Sequence, residues 1–192
     1  MRGLIIPGVF APRWQQRFEA FASDKRGIAA VEFALIAIPF FFLIFGLLEV
    51  CVIFIMASVL EHAANEAARQ IRTGQFQTAA TPLTEADFKQ DICNELFGLM
   101  TCDSKLKLDV RTFNSFAGAS TPAPSFDAAT GDLDDSGFTF SAGNQNEIVV
   151  VRVFYEWDLI IPVMSAPLAN MGTSSRRLLQ ATVAFRNEPF GT

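Results

Sequence analysis

KRGIAAVEFAL, residues 25–35, joins two cations and a glycine to the start of an apolar run that carries one early acid, Glu32. The run reaches Leu60 with Glu32 and Glu49 as its only charges. It holds Phe33, Phe40, Phe41, Phe42, Phe45 and Phe54, a concentrated share of the 20 phenylalanines in this 192-residue chain. A helix needs about 20 mainly apolar residues to cross bilayer hydrocarbon, so the segment is expected to be a membrane anchor. A cleaved secretory signal has a shorter apolar core, roughly 7–15 residues, with a small-residue cleavage site after it. Neither feature fits here.

The flanks set an orientation. Arg2, Arg13, Arg17, Lys25 and Arg26 precede the span against Glu19 and Asp24, whereas Glu61, Glu66, Arg69 and Arg72 balance one another after it. The positive-inside rule then keeps residues 1–27 in the cytoplasm as a leader and exports the chain beyond the helix. Pro7 and Pro12 argue against one continuous helix in that leader. The chain carries a formal charge of −5, and its acids are concentrated after the span. The exported part therefore offers no basic surface, and nucleic-acid binding is excluded as a function class.

The chain reads as three parts: a leader, 1–27; a helix, 28–73, running past the membrane; and an exported α+β domain, 74–192. The stretch ASVLEHAANEAARQIRTG consists of strong helix formers and ends at Gly74, a plausible cap. Pro39 leaves the Leu35 carbonyl unpaired and is expected to kink the helix. A second helix starts at a capping box, Thr84 with Asp87, and repeats Phe88, Ile92, Leu96 and Leu99. KLKLDVRTF alternates, with Leu106, Leu108 and Val110 on one face, and reads as a strand. Residues 114–146 lack a period and read as a long loop. NEIVVVRVFYEWDLI is a strand apolar enough to be buried on both faces, and SRRLLQATVAFRN is a third, after a proline-bounded turn over 162–172.

Cysteine use agrees with export. Cys51 falls in the span, where it packs as a small apolar residue. Cys93 and Cys102 are close in sequence, and in an oxidising compartment they are expected to form a disulfide, worth about 3 kcal/mol in the chain-entropy model. The alternative is a pair of buried free thiols. His62 stands far from both, which disfavours zinc.

Glu32 carries the functional reading. Intramembrane carboxylates are expensive enough that function is the default explanation. Glu32 is the fifth residue after Gly27, which comes directly after Lys25-Arg26, and Phe33 is next. That order resembles the processing signature of type IV prepilins, in which a peptidase cuts after the glycine. Cutting between Gly27 and Ile28 would free an amine at the head of an apolar helix. A carboxylate one turn along can neutralise it, in its own chain or a neighbour, because a pair is far cheaper in lipid than either charge alone. The acid also complements the helix macrodipole.

Residues 26–69 resemble more closely the TadE/TadG-like family, through Arg26, Gly27, Ala30, Val31, Glu32, Phe33, Ala34, Leu35, Pro39, Gly46 and Glu49. Residues 183–190, VAFRNEPF, are similar to the ending of many TadE-type proteins. The resemblance implies a non-enzymatic pseudopilin or minor-pilin-like component of Tad (Flp) pilus machinery in the inner membrane, with a periplasmic domain. Its partners would be other pilin or pseudopilin subunits, the Tad secretion machinery, a prepilin peptidase and membrane lipid. No cofactor is implied. Ala30, Ala34 and Ala37 form a small-residue face suited to close helix packing. Ala57, Ala64 and Ala68 suit a seam, either against the protein's own sheet or between subunits. Glu49 reads as a marker of the outer interface.

Two other classes compete. A membrane-anchored enzyme would need an exported acid pair, and the acidic patch Asp132, Asp134 and Asp135 lacks the ligand order of a calcium loop. Such clusters are mostly solvated loop residues. An uncleaved, signal-anchored periplasmic adaptor differs from a pseudopilin in keeping residues 1–27.

Overall fold

The computed structural model describes residues 27–190 apart from positions 82, 162–164 and 173. The expected leader and the start of the proline-bounded turn lie outside the described residues. The elements run α1 (Ile28–Arg72), α2 (Glu85–Glu95), β1 (Leu106–Phe113), a 3-10 turn (Phe116–Gly118), β2 (Ile148–Asp158), the one-turn α3 (Ser165–Leu168) and β3 (Arg176–Arg186). The strands form one antiparallel sheet in the order β1-β2-β3. This is the expected α+β class, with the sheet late in the chain. The chain divides into two units, Met1–Phe45 and Gly46–Thr192, and α1 contributes residues to both.

In the first unit, helix α1 continues through Pro39. Its large apolar side chains are exposed, Phe33 to 70%. The Phe41 ring contacts those of Phe40 and Phe45 along the helix surface, with centroids 5.6 and 6.0 Å apart. Each large apolar side chain left in water forgoes about 1.5–3 kcal/mol of transfer free energy. A contiguous apolar surface of this size marks a lipid or protein contact. Among the described residues α1 is the one helix long and apolar enough to cross a membrane.

In the second unit the same helix changes character. Leu60, Ala63, Ala64, Ala67, Ala68 and Ile71 are buried. They pack with Leu106, Leu108 and Val110 of β1, Val149, Val151 and Val153 of β2, and Leu179 and Ala181 of β3. Alanines let the helix backbone lie close to the sheet, and the branched strand residues fill the space between. Of the two seam readings for Ala64 and Ala68, the intramolecular one therefore holds for these buried positions. Gly74 ends the helix in a left-handed conformation (φ 78°), with its N–H donating to the Ile71 carbonyl at 3.1 Å.

The capping box of α2 is present: the Thr84 N–H donates to Asp87 Oδ2 at 2.7 Å, and the Asp87 N–H to Thr84 Oγ1 at 3.4 Å. Phe88, Ile92 and Leu96 are buried as the periodicity predicts, but Leu99 is exposed. The helix stops at Glu95 because Phe97 and Gly98 both take positive φ, 52° and 70°, and turn the chain away. Cys93 and Cys102 close this turn as a disulfide.

Strand β2 is buried on both faces. Residues 114–146 are the expected long loop, irregular apart from the 3-10 turn, and part of it covers the second face. Leu133, Phe126 and Phe138 pack there with Phe154, Met171 and Leu178. An ion pair pins this layer down. Asp109 on β1 stands opposite Arg152 on β2 in the register, and both are buried. Arg152 Nε donates to Asp109 at 3.1 Å and its Nη1 to the Pro122 carbonyl at 2.5 Å, while its guanidinium lies 5.3 Å from the Phe154 ring centroid. Asp109 also accepts from the Thr139 N–H at 3.0 Å and from Arg111 at 2.9 Å. Burial pushes the Asp109 carboxyl up, but the hydrogen bonds from Arg152, the Thr139 N–H and Arg111 outweigh it and hold the group below its ordinary range.

Candidate functional site

Gly27 precedes α1, and a Cβ placed there would meet no neighbour. Ile28 opens the helix, and Glu32 lies one turn later with its side chain exposed. Phe33, Ala30, Ala34 and Pro39 are exposed as well, and Ala37 is half-buried. None of these positions belongs to the core of the domain. At about 100° per residue Glu32 lies roughly 200° around the helix from Ala30, so the acid and the alanine face point in nearly opposite directions. The helix thus carries a small-residue face and an acidic point on different sides.

Glu49, the other acid of the apolar run, is placed differently. It is 1% exposed, and its carboxylate accepts two backbone N–H groups, Ile160 at 3.1 Å and Ile161 at 3.0 Å. Those residues come just after the end of β2. Its surroundings are those of a buried clamp and not of a simple boundary charge: the carboxylate holds the chain leaving the central strand onto α1. Hydrogen bonds to an ionised acceptor are worth about 1.5–3 kcal/mol each. The sequence held a signal for this. Glu49 recurs at helical spacing with Ile53, Leu60, Ala64, Ala67 and Ile71, which is the buried stripe of the domain. An acid on that stripe needs an internal partner.

The carboxyl-terminal stretch 183–190 meets the end of the same helix. The Glu188 N–H donates to the Arg72 carbonyl at 2.8 Å, and the two side chains lie 3.5 Å apart. A Cβ added to Gly74 would fall on the Phe190 side chain, so glycine is required there for space as well as conformation. Asn187 is buried and donates to the Ala142 and Asn144 carbonyls at 3.0 and 2.9 Å. The end of the long helix and residues 187–190 are therefore packed together in the second unit.

The acidic patch is dispersed. Asp132 pairs with Arg176, the Asp134 carboxylate accepts the Ser136 N–H, and Asp135 pairs with Lys107 at 2.5 Å. Arg176 also pairs with buried Glu156, which accepts the Leu133 N–H at 3.1 Å. The hydrogen bond from Arg176 holds the Asp132 carboxyl below its ordinary range. Asp132, Asp135 and Glu156 link the covering segment to the sheet, whereas Asp134 is bonded within the segment itself. Exposed Cys51 is a free thiol, and exposed His62 stacks on Phe97 with Glu95 3.8 Å away.

No curated protein and no solved structure matches the chain. Residues 27–69, from the glycine before α1 almost to its last turn, match the model of the family of TadE-like proteins.

Proposed function

We propose that this protein is a non-enzymatic, pseudopilin-like component for assembly of a Tad (Flp) pilus, held by one membrane-spanning helix with its domain in the periplasm. The observation that carries the reading is the register of Gly27, Ile28, Glu32 and Phe33 within the TadE-like segment, on a helix whose apolar side chains are exposed. In this reading a prepilin peptidase cuts after Gly27. The freed Ile28 amine and Glu32 then pair within or between subunits, and the alanine face of Ala30 and Ala34 lets neighbouring helices approach. Glu32 serves as a registry device, and its partners are other pilin or pseudopilin helices of the Tad machinery.

The reading is tested by the mass and N-terminal sequence of the protein extracted from membranes of cells that make the pilus. Loss of residues 1–27 is expected, and Gly27→Leu should block it. An intact N-terminus would leave an uncleaved, signal-anchored adaptor instead.

A further inference from the structure

Residues 119–125, ASTPAPS, are a run of small, hydroxyl-bearing and proline residues within the covering segment, and the pseudopilin reading makes no use of them. The run forms neither helix nor strand. Pro122 and Pro124 lack N–H groups, and each restricts the residue before it, Thr121 or Ala123, to extended backbone. The run is nevertheless fixed to the domain. Arg152 Nη1 donates to the Pro122 carbonyl at 2.5 Å, and the Asp134 N–H donates to the Ser125 carbonyl at 2.9 Å. Directly after it, Phe126 packs against the buried cluster of Leu133, Phe154, Met171 and Leu178.

The hydroxyls of the covering segment are not equivalent. Ser115 Oγ accepts the Gly118 N–H at 3.1 Å, and Thr130 Oγ1 accepts the Asp132 N–H at 3.2 Å, so both belong to local turns. Ser120 is exposed, and its hydroxyl has no hydrogen-bond partner among the described residues. Ala119 and Ala123 flank it with single methyl groups, and Pro122 and Ala123 are exposed as well, which leaves room for a bulky substituent. An enzyme that modifies serine must take hold of the backbone around it, and an extended surface loop allows this without unfolding. Stretches rich in serine, threonine and proline are the compositional signature of O-linked sugar.

We propose that Ser120 is the acceptor of an O-linked glycan, displayed on a backbone that Arg152 and the two prolines hold extended. Ser120 Oγ attacks the anomeric carbon of a sugar activated as a lipid-linked pyrophosphate. The bond from that carbon to the phosphate oxygen breaks, and the pyrophosphate leaves with the electron pair. The hydroxyl proton passes to a base of the transferase. The inference rests on the exported position given to the domain above, and adds a covalent coat to its covering segment.

The test is the intact mass of the protein purified from membranes of the cells that make it, with peptide fragmentation to place any modification. A mass above that of the polypeptide by one or more monosaccharide residues is expected, on Ser120 and released by alkaline β-elimination. Ser120→Ala should abolish the excess, and Ser115→Ala should keep it in full. A bare polypeptide mass, sugar confined to other residues, or phosphate on Ser120 overturns the proposal. The state of Cys93 and Cys102 in the same sample separates this proposal from the reading beneath it. Bare Ser120 beside an oxidised pair overturns the glycan and keeps export, whereas bare Ser120 beside two free thiols defeats both.

Discussion

The first and last thirds of α1 have the same secondary structure and opposite surroundings. Around Phe33 and Phe42 the helix is rich in large apolar side chains and buries none of them; around Ala64 and Ala68 it is poorer in apolar volume and is buried against the sheet. The difference shows that burial within the chain tracks complementarity and not hydrophobicity. Small alanines admit a sheet at close range, whereas a collar of exposed phenylalanines suits lipid or other helices. The two acids divide in the same way. Glu49 is satisfied internally by two N–H groups, while Glu32 is exposed and, in the proposed function, awaits a partner.

The contrast can be broken hardest on the domain side. Asp109→Ala would strand buried Arg152, and breaking a buried pair costs about 3–5 kcal/mol. Thermal unfolding of the full chain in detergent should show a large loss, read from the β-sheet signal. An unchanged midpoint would mean that the covering layer of residues 114–146 is not held by this pair. A smaller effect separates the two alanine faces directly. Ala64→Leu should destabilise the domain by about 1–3 kcal/mol through overpacking, and Ala34→Leu should leave its unfolding midpoint alone. Equal effects from the two would erase the distinction drawn between them.

Acid should sharpen the comparison by the smallest amount. The Asp109 carboxyl is held below its ordinary range in the folded protein, so the unfolded state binds the proton more readily. Its contribution is present above the unfolded value of about 3.9 and is lost as pH falls through the lower folded value. The unfolding midpoint should therefore drop below about pH 4. Asp109→Asn should start from a lower midpoint and lose less of it in acid. A variant with the full acid dependence would assign that dependence to other carboxylates.

Much of this division is legible in the sequence, for identifiable reasons. The apolar run, the capping box of Thr84 and Asp87, and the alternation of Leu106, Leu108 and Val110 are local patterns, and the structure has a helix, a cap and a strand at those places. Cys93 and Cys102 are pairable on sequence because they are close together and expected in an oxidising compartment. The features that escape depend on long-range partners. The layer over the second sheet face has no period of its own, since Asp109, Arg152, Glu156 and Arg176 hold it by side-chain bonds from distant strands. The exposure of Leu99 turns on a left-handed Phe97, a conformation that phenylalanine does not announce. Glu49 has the sequence position of a boundary charge, and its partners Ile160 and Ile161 come to it from more than a hundred residues away.

The pilin reading stands most directly on Glu32. An acid that merely points to the interface would tolerate Glu32→Gln, since a neutral amide is cheaper in hydrocarbon. An acid that neutralises the Ile28 amine would not, because the change leaves a cation unpaired at a cost of about 3–5 kcal/mol. The measurement is pilus yield in cells carrying Glu32→Gln at normal protein level, with membrane insertion and removal of residues 1–27 checked alongside. Normal insertion and cutting, an unchanged unfolding midpoint for the domain, and little or no pilus are expected. Wild-type pilus yield from that variant would contradict the role given to Glu32 and, with it, the pilin reading.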